Sequence, residues 1–242
     1  MGERRPKRAL IAGVLVFLLS VVVGVTAPGS ARAQTLDLAL CDPRQHSFTT
    51  TITNQFFPLP VGQQWVYFGV EQGEPIGLQI TVLNQTETFK FGRTRVTALV
   101  VEELEWIDAN RNHFVDPDEE LLEVSRNFYA QTEQGIVCYF GETVDIYENG
   151  VIVSHEGAWR ADARGNGPGI FMPANPQKGM TFQQEFAPGV AMDEATIIKV
   201  AEDTITVRDF NPLDESSGTK EYQAGVGLMR DGPLDLVEIR QV

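Results

Sequence analysis

The chain has 242 residues, and its 33 acidic and 19 basic side chains give a formal net charge of −14 at pH 7. A surface this negative repels the phosphate backbone, so nucleic-acid binding is not expected. Hydrophobic residues make up 43% of the sequence, the ordinary share for a globular protein, so a sizeable core is available.

Residues 1–33 have the parts of an export signal. Basic residues precede an apolar run at 9–25, and Ala31-Arg32-Ala33 has the small-x-small form that signal peptidases cleave. We predict cleavage before Gln34, which leaves one domain, 34–242, that is secreted or lies in the cell envelope. The mature chain then carries a formal charge of about −18 and has no stable membrane insertion. A retained anchor is the alternative, because an apolar run of 17 residues is near the lower limit for spanning a bilayer.

Two cysteines, Cys41 and Cys138, remain after processing. In an oxidising compartment an even number of cysteines predicts a disulfide. Such a bond would tie the N-terminal segment to the middle of the chain. Two separate buried thiols are the alternative.

The mature chain shows strand patterns separated by tight turns. The segments with alternating, β-branched or aromatic residues are 63–71, 76–84, 95–106, 121–131, 136–147, 151–159, 180–186, 195–201, 204–210, 220–225, 227–231 and 234–240. Asn149-Gly150 indicates a two-residue hairpin turn, because both residues accept a positive φ. Residues 161–178 are rich in Gly and Pro and are predicted to be a loop. We expect an all-β fold, an antiparallel meander of about ten strands that is barrel-like or a sandwich.

The stretch DANRNHFVDPDEE (108–120) places oxygen-bearing residues at alternate positions. A twelve-residue calcium loop of the EF-hand type uses positions 1, 3, 5, 7, 9 and 12. In this chain these positions are Asp108, Asn110, Asn112, Phe114, Asp116 and Glu119. Phe114 would contribute its backbone carbonyl, and Asp116 could act through a water. The spacing predicts a structural calcium site at 108–119.

Two features depart from the EF-hand pattern. His113 stands where such loops carry glycine in a left-handed conformation, at a cost of roughly 1–2 kcal/mol. The flanking segments read as strands, so the site would be an EF-type loop on a β-hairpin. Three of the ligands are carboxylates, for which we expect an affinity of roughly 0.1–1 mM. The alternative is a polar turn in which Asp and Asn cap their own backbone.

The candidates for catalysis are weak. His155 lies in a predicted strand, and Trp159 stands where a zinc-protease helix would carry a second histidine. His155 could meet Glu142, Asp145 or Glu185 as a metal or acid–base cluster. A hydrogen-bonded structural histidine is the alternative.

Seven segments, spread over most of residues 41–230, are similar to segments that occur in the same order in other proteins. They are TNQFFPLPVGQQW (53–65), EVSRNFYAQ (123–131), GIVCYFGETVDIY (135–147), SHEGAW (154–159), GIFMPANPQKGMTFQQE (169–185), APGVAMD (187–193) and YQAGVGL (222–228). With these segments the chain resembles a family of exported bacterial β-rich proteins of unknown function. The resemblance implies an exported β-rich domain and supplies no reaction.

The sequence therefore favours an exported binding or structural module with a structural calcium loop. Its partner would be a small apolar ligand, held as small β-barrels hold one, or an envelope protein. The alternative is a metal- or carboxylate-dependent enzyme with a site around His155, Glu142 and Glu185.

Overall fold

The computed structural model describes residues 34–242, so the predicted export signal at 1–33 lies outside the described residues. This part of the chain is all-β, as predicted, with one short 3-10 helix at Leu38–Cys41. The strands are β1 (Gln34–Thr35), β2 (Phe48–Thr49), β3 (Ile52–Asn54), β4 (Phe57–Leu59), β5 (Gln63–Glu71), β6 (Glu74–Phe91), β7 (Thr94–Ile107), β8 (Leu121–Thr132), β9 (Val137–Glu148), β10 (Val151–Ser154), β11 (Trp159–Arg160), β12 (Gly169–Met172), β13 (Met180–Gln183), β14 (Glu194–Val200), β15 (Thr204–Asn211), β16 (Ser216–Gln223), β17 (Gly227–Asp231) and β18 (Leu234–Gln241). Residues 34–242 contain no helix that is long and apolar enough to cross a membrane.

One large mixed sheet holds sixteen of these strands, and β3 and β4 form a separate hairpin. The strands of the large sheet follow the order β1-β13-β14-β15-β16-β17-β18-β5-β6-β7-β8-β9-β10. In addition, β2 pairs with β8, and β11 and β12 pair with β9. The pairing of β18 with β5 joins two antiparallel meanders, and β1 pairs with β13 in parallel.

Of the two predicted arrangements, a barrel and a sandwich, the closed barrel is wrong. Closure would need the free side of β9 to pair with the strand at the other end of the sheet. Within residues 34–242 that side of β9 is occupied by the short strands β10, β11 and β12. The sheet therefore stays open.

The expected number of about ten strands is also wrong, since residues 34–242 contain eighteen. Each of the twelve predicted segments overlaps a strand. The six strands that were missed are β1 to β4, β11 and β12, each two to four residues long. An alternating pattern cannot be recognised over so few residues. The missed strand β12 lies inside the predicted loop 161–178.

The predicted turn at Asn149-Gly150 is confirmed. Asn149 has φ 52° and Gly150 has φ 74°, so both central residues have the positive φ of a type I′ turn. The turn joins β9 directly to β10.

The predicted disulfide is also confirmed. Cys41 and Cys138 are bonded, their Cα atoms lie 5.8 Å apart, and both residues are fully buried. The bond fastens the 3-10 helix to β9 across 97 residues. Closing a loop of this length stabilises the fold by about 4–5 kcal/mol in the chain-entropy description.

The sheet curls so that distant strands face each other. Five ladders separate β7 from β16, which would place them about 24 Å apart in a flat sheet. Burial raises the pKa of Glu103 on β7 to about 7. Lys220 on β16 is nevertheless close enough for its positive charge to act against this rise. The hydroxyl of Tyr67 on β5 also donates to the carbonyl of Leu228 on β17. We call the concave side that carries these residues the inner face.

Candidate functional site

The loop 108–120 joins β7 to β8 and is anchored by Asp108. This carboxylate is fully buried. Its Oδ1 accepts a hydrogen bond from the backbone N–H of Asn112 at 3.1 Å. Its Oδ2 lies 3.1 Å from the backbone nitrogen of His113, which donates to it, and 3.0 Å from the ring Nδ1 of that histidine. These bonds fold the chain into a tight turn around one buried carboxylate.

His113 adopts the left-handed backbone that the glycine position of an EF-type loop requires, with φ 64°. Arg111, two residues earlier, is also left-handed with φ 58°. The ring of His113 packs on Phe68 with centroids 4.8 Å apart. This packing and the contact with Asp108 help to offset the strain of a left-handed non-glycine residue.

Four other predicted ligands stand next to one another. The side-chain amides of Asn110 and Asn112 both donate to Oδ2 of Asp116, at 2.8 Å each. The backbone N–H of Asp116 donates to Oε2 of Glu119 at 3.2 Å. The other oxygen, Oε1 of Glu119, is buried and has no hydrogen-bond partner within residues 34–242. The ring of Phe114 is exposed and carries no oxygen, so this residue could contribute only its backbone carbonyl.

The loop lies across the sheet and is held there by β18. Arg240 donates from Nη2 to the carbonyl of His113 at 3.2 Å, and its guanidinium lies 3.9 Å from the ring centroid of Phe114. The backbone N–H of Asp108 donates to the carbonyl of Pro75 on β6. The loop is therefore packed against the sheet at several points.

In residues 34–242, no group of three or more His, Cys, Asp or Glu side chains has the arrangement of a metal site. A calcium shell in this loop would need amide and carbonyl oxygens as well as carboxylates. Asp108, Asp116 and Glu119, the three carboxylates among the predicted ligands, do not form such a group by themselves.

The structure brings together two of the three catalytic candidates. Trp159 on β11 pairs directly with Glu142 on β9, and Glu185 lies close enough for its charge to raise the pKa of Glu142. His155 lies elsewhere. Its Nδ1 is 2.8 Å from the carbonyl oxygen of Val144 and 2.9 Å from Oδ1 of Asp145.

Glu142 and Glu185 share an environment that favours the protonated form. Burial raises the pKa of Glu142 well above its usual value, and the charge of Glu185 adds to this. Burial and the charge of Asp193 raise the pKa of Glu185 to about 7, while the indole of Trp159 acts in the opposite direction. Burial and like charge thus shift the pKa of both carboxyl groups in the direction that favours a bound proton.

The pair is part of a larger group that sequence reasoning missed, which we call the acidic cluster. It comprises eight carboxyl groups of the inner face and one lysine: Glu103, Glu105, Glu123, Glu142, Glu185, Asp193, Asp209, Asp231 and Lys220. Nζ of Lys220 lies 3.5 Å from Oδ2 of Asp209 and 3.3 Å from Oδ2 of Asp231. Residues 103 and 105 are two positions apart in a strand, so the sequence indicates that their side chains lie on the same face of β7. It does not indicate that this face is the inner one.

A hollow of about 470 Å³ lies away from the acidic cluster, on the side of the β3–β4 hairpin. Its apolar floor includes Ile52, Leu59 and Leu99, and threonine, asparagine and glutamine side chains surround it. The hollow is not the barrel interior that was expected to hold an apolar ligand, and much of the inner face is acidic. A small apolar ligand stays a prediction.

No family model, no curated protein and no solved structure matches this chain.

Proposed function

We propose that the protein is an exported β-sheet module whose 108–119 loop binds calcium, and that the ion fastens this loop to the sheet. The observation that supports it best is the cluster of Asn110, Asn112, Asp116 and Glu119, in which a buried oxygen of Glu119 has no partner within residues 34–242. A divalent cation beside that oxygen would remove the cost of burying it unpaired.

The donor set suits calcium, a hard cation that takes six to eight oxygen ligands from carboxylates, amides and backbone carbonyls. Asp108, Asp116 and Glu119 would neutralise its charge. Asn110 and Asn112 now direct their amide nitrogens at Asp116, and a rotation of each amide would present the oxygen instead. The backbone N–H of Asn112 would then keep Oδ1 of Asp108 as its acceptor.

The proposed role of the ion is structural. The loop would supply seven oxygens and leave few coordination positions for a substrate. At 10 mM calcium, an affinity of roughly 0.1–1 mM stabilises the folded state by about 1.4–2.7 kcal/mol. In a protein of this size the gain corresponds to about 3–10 °C in Tm.

Calorimetry tests the proposal. The parent protein should give heat with millimolar calcium, and its Tm should rise, while Glu119→Gln should lose both effects. Asp118→Ala is the matched control, because Asp118 is an exposed carboxylate of the same loop outside the ligand positions. The absence of heat with the parent protein at 10 mM calcium would rule the site out.

Export is supported by the signal pattern of residues 1–33 and by the Cys41–Cys138 disulfide, since disulfides persist in oxidising compartments. The location would be extracellular or the cell envelope. An envelope protein as partner remains part of the proposal.

A second candidate function is carboxylate-dependent catalysis at Glu142 and Glu185. The observation in its favour is that these two half-buried carboxyl groups interact and have raised pKa values, as acid–base pairs in active sites do. Hydrolysis of glycoside and ester substrates by the parent protein, lost in Glu142→Gln and kept in His155→Gln, would support it. Equal activity in the parent protein and Glu142→Gln would exclude it.

A further inference from the structure

A patch of unpaired positive charge lies at the turn between β6 and β7. In residues 34–242 the basic side chains that make no ion pair are Lys90, Arg93, Arg95, Arg111, Arg164, Lys178, Lys199 and Arg208. Four of these eight belong to this turn and to the loop after β11, and we call them the basic patch: Lys90, Arg93, Arg95 and Arg164. No acidic residue occurs between Glu87 and Glu102. An otherwise acidic protein therefore gathers half of its unpaired cations in one place.

The basic patch borders a hollow of about 410 Å³ that lies between the β6–β7 turn and the loop after β11. Lys90 and Gly92 line it on the side of the turn, and Ala163 lines it on the side of the loop. Arg93 follows Gly92 in the chain and Arg164 follows Ala163, so both arginines belong to the rim of the hollow. The cations thus surround a space that a small molecule can enter.

Hydrogen bonds and ion pairs fix the two sides of the hollow to each other. The backbone N–H of Lys90 donates to Oδ2 of Asp162, which also lines the hollow, at 3.0 Å. Nη2 of Arg160 donates to the carbonyl of Thr88 at 3.2 Å. Arg160 also contacts Oε1 of Glu87 at 2.8 Å and Oδ1 of Asp162 at 3.1 Å. These two carboxylates are therefore paired inside the fold, and the cations of the basic patch keep their charge for another partner.

Two members of the basic patch are placed at a cost to the sheet. Lys90 and Arg95 stand directly opposite each other across the β6–β7 ladder, and both are exposed. Like charges in this position destabilise a sheet. The two side chains belong to the outer face, because Phe89 and Val96, which precede and follow them on their strands, are buried in the core. The arrangement serves a negatively charged ligand better than it serves the fold.

We propose that the hollow and its rim bind a small molecule that carries phosphate groups, with the side chains of the basic patch contacting the phosphate oxygens. Three of the four cations are arginines, whose planar guanidinium group matches a phosphate with two parallel hydrogen bonds. The site lies at the opposite end of β7 from the 108–119 loop, so the proposal does not depend on calcium binding.

Charge favours a ligand with more than one phosphate group. Each phosphate group carries about −1.5 to −2 charges near pH 7, so about two of them balance the four cations of the basic patch. A carboxylate ligand would need four groups in the same small space. A compact ligand with two phosphates therefore fits both the charge and the volume of the hollow.

A membrane or a nucleic acid fits this surface less well. Within residues 34–242, none of the exposed large hydrophobic side chains belongs to the β6–β7 turn or to the loop after β11. The surface thus offers no apolar side chain to insert into a bilayer and no exposed ring on which a base could stack. The negative charge of the rest of the protein repels an extended polyanion, whereas a small ligand avoids it.

Calorimetry with inorganic pyrophosphate tests the proposal, in a divalent-free buffer of low ionic strength so that calcium plays no part. We expect the parent protein to bind with a Kd on the order of 0.1–1 mM. The variant Lys90→Gln/Arg95→Gln should bind at least about ten-fold more weakly. Lys199→Gln/Arg208→Gln is the matched control, because it removes two exposed, unpaired cations on β14 and β15 and changes the net charge equally. It should bind as the parent protein does.

Nuclear magnetic resonance of the parent protein keeps the proposal testable if the first variant does not fold. Pyrophosphate should shift the side-chain Nε resonances of Arg93, Arg95 and Arg164 and leave that of Arg208 unchanged. No heat and no shift at 10 mM pyrophosphate would overturn the proposal, and so would an equal loss of affinity in the two double variants. Binding to phosphatidylglycerol vesicles or to a single-stranded oligonucleotide, without binding of pyrophosphate, would overturn it in favour of a macromolecular partner.

Discussion

Lys220 stands directly opposite Asp231 on the neighbouring strand, and its ammonium group lies within 3.5 Å of both Asp231 and Asp209. The largest cause that raises the pKa of this lysine is the charge of Asp231, and burial acts against it. The ammonium group is thus the fixed positive charge of an otherwise acidic inner face.

Replacing this lysine should destabilise the protein most at high pH. Lys220→Met leaves Asp209 and Asp231 without their counter-charge, and we expect a loss of about 1–3 kcal/mol at pH 8. At pH 5 the loss should be smaller, because burial raises the pKa of Asp209 and the group can take up a proton. Urea unfolding at the two pH values measures the difference. A loss that is equal at both would show that the lysine acts through packing alone.

Removal of the disulfide should be costly. The variant Cys41→Ser/Cys138→Ser frees the 3-10 helix from β9, and we expect a fall of about 2–5 kcal/mol in the free energy of unfolding. Urea unfolding of the variant and of the oxidised parent protein gives this number. An unchanged midpoint would mean that packing of the N-terminal segment on β9 suffices without the bond.

A side chain at Gly77 should disrupt the sheet beneath the 108–120 loop. A Cβ there would lie 2.3 Å from Cζ2 of Trp106, a fully buried ring on the opposing strand. We expect Gly77→Ala to cost about 1–3 kcal/mol, because the indole must shift. Gly218→Ala on β16 is the control, since nothing lies within 4 Å of its added Cβ. Equal Tm values for the two variants would contradict the packing of Trp106 described above.

Loss of Arg240 should loosen the 108–120 loop. Its side chain contacts the carbonyl of His113 and the ring of Phe114, so Arg240→Ala removes both contacts. We expect faster hydrogen exchange in the loop and a calcium affinity lowered about three- to ten-fold, since the loop would be less preorganised. Arg230→Ala, which removes an exposed ion pair with Asp235, should leave the affinity unchanged.

Local patterns predicted the long strands and the loop, because the information needed lies within one segment. The strand β5 coincides with the predicted 63–71, a segment that carries the aromatic residues Trp65, Tyr67 and Phe68. The polar residues of the loop were predicted to lie in one turn from their spacing alone. They are Asp108, Asn110, Asn112, Asp116 and Glu119. Calcium binding itself stays a prediction.

The acidic cluster could not be predicted for a physical reason. Alternation assigns Glu103 and Glu105 to the same face of β7, but it does not reveal that this face is inward. A polar face is ordinarily the solvated one. Whether the sheet closes into a barrel likewise depends on which partners take the free side of β9, and two of the three found there, β11 and β12, are too short to leave a pattern.

The ladder between β18 and β5 bears on the order in which the protein folds. Its paired residues run from Gln63 with Gln241 to Phe68 with Asp235, so they are among the most distant in the chain. A polypeptide delivered from its amino end would present β5 with an unoccupied edge until the final strand arrives, and open edges recruit other chains. Such a protein should fold slowly and gain from a chaperone that shields β5 during delivery.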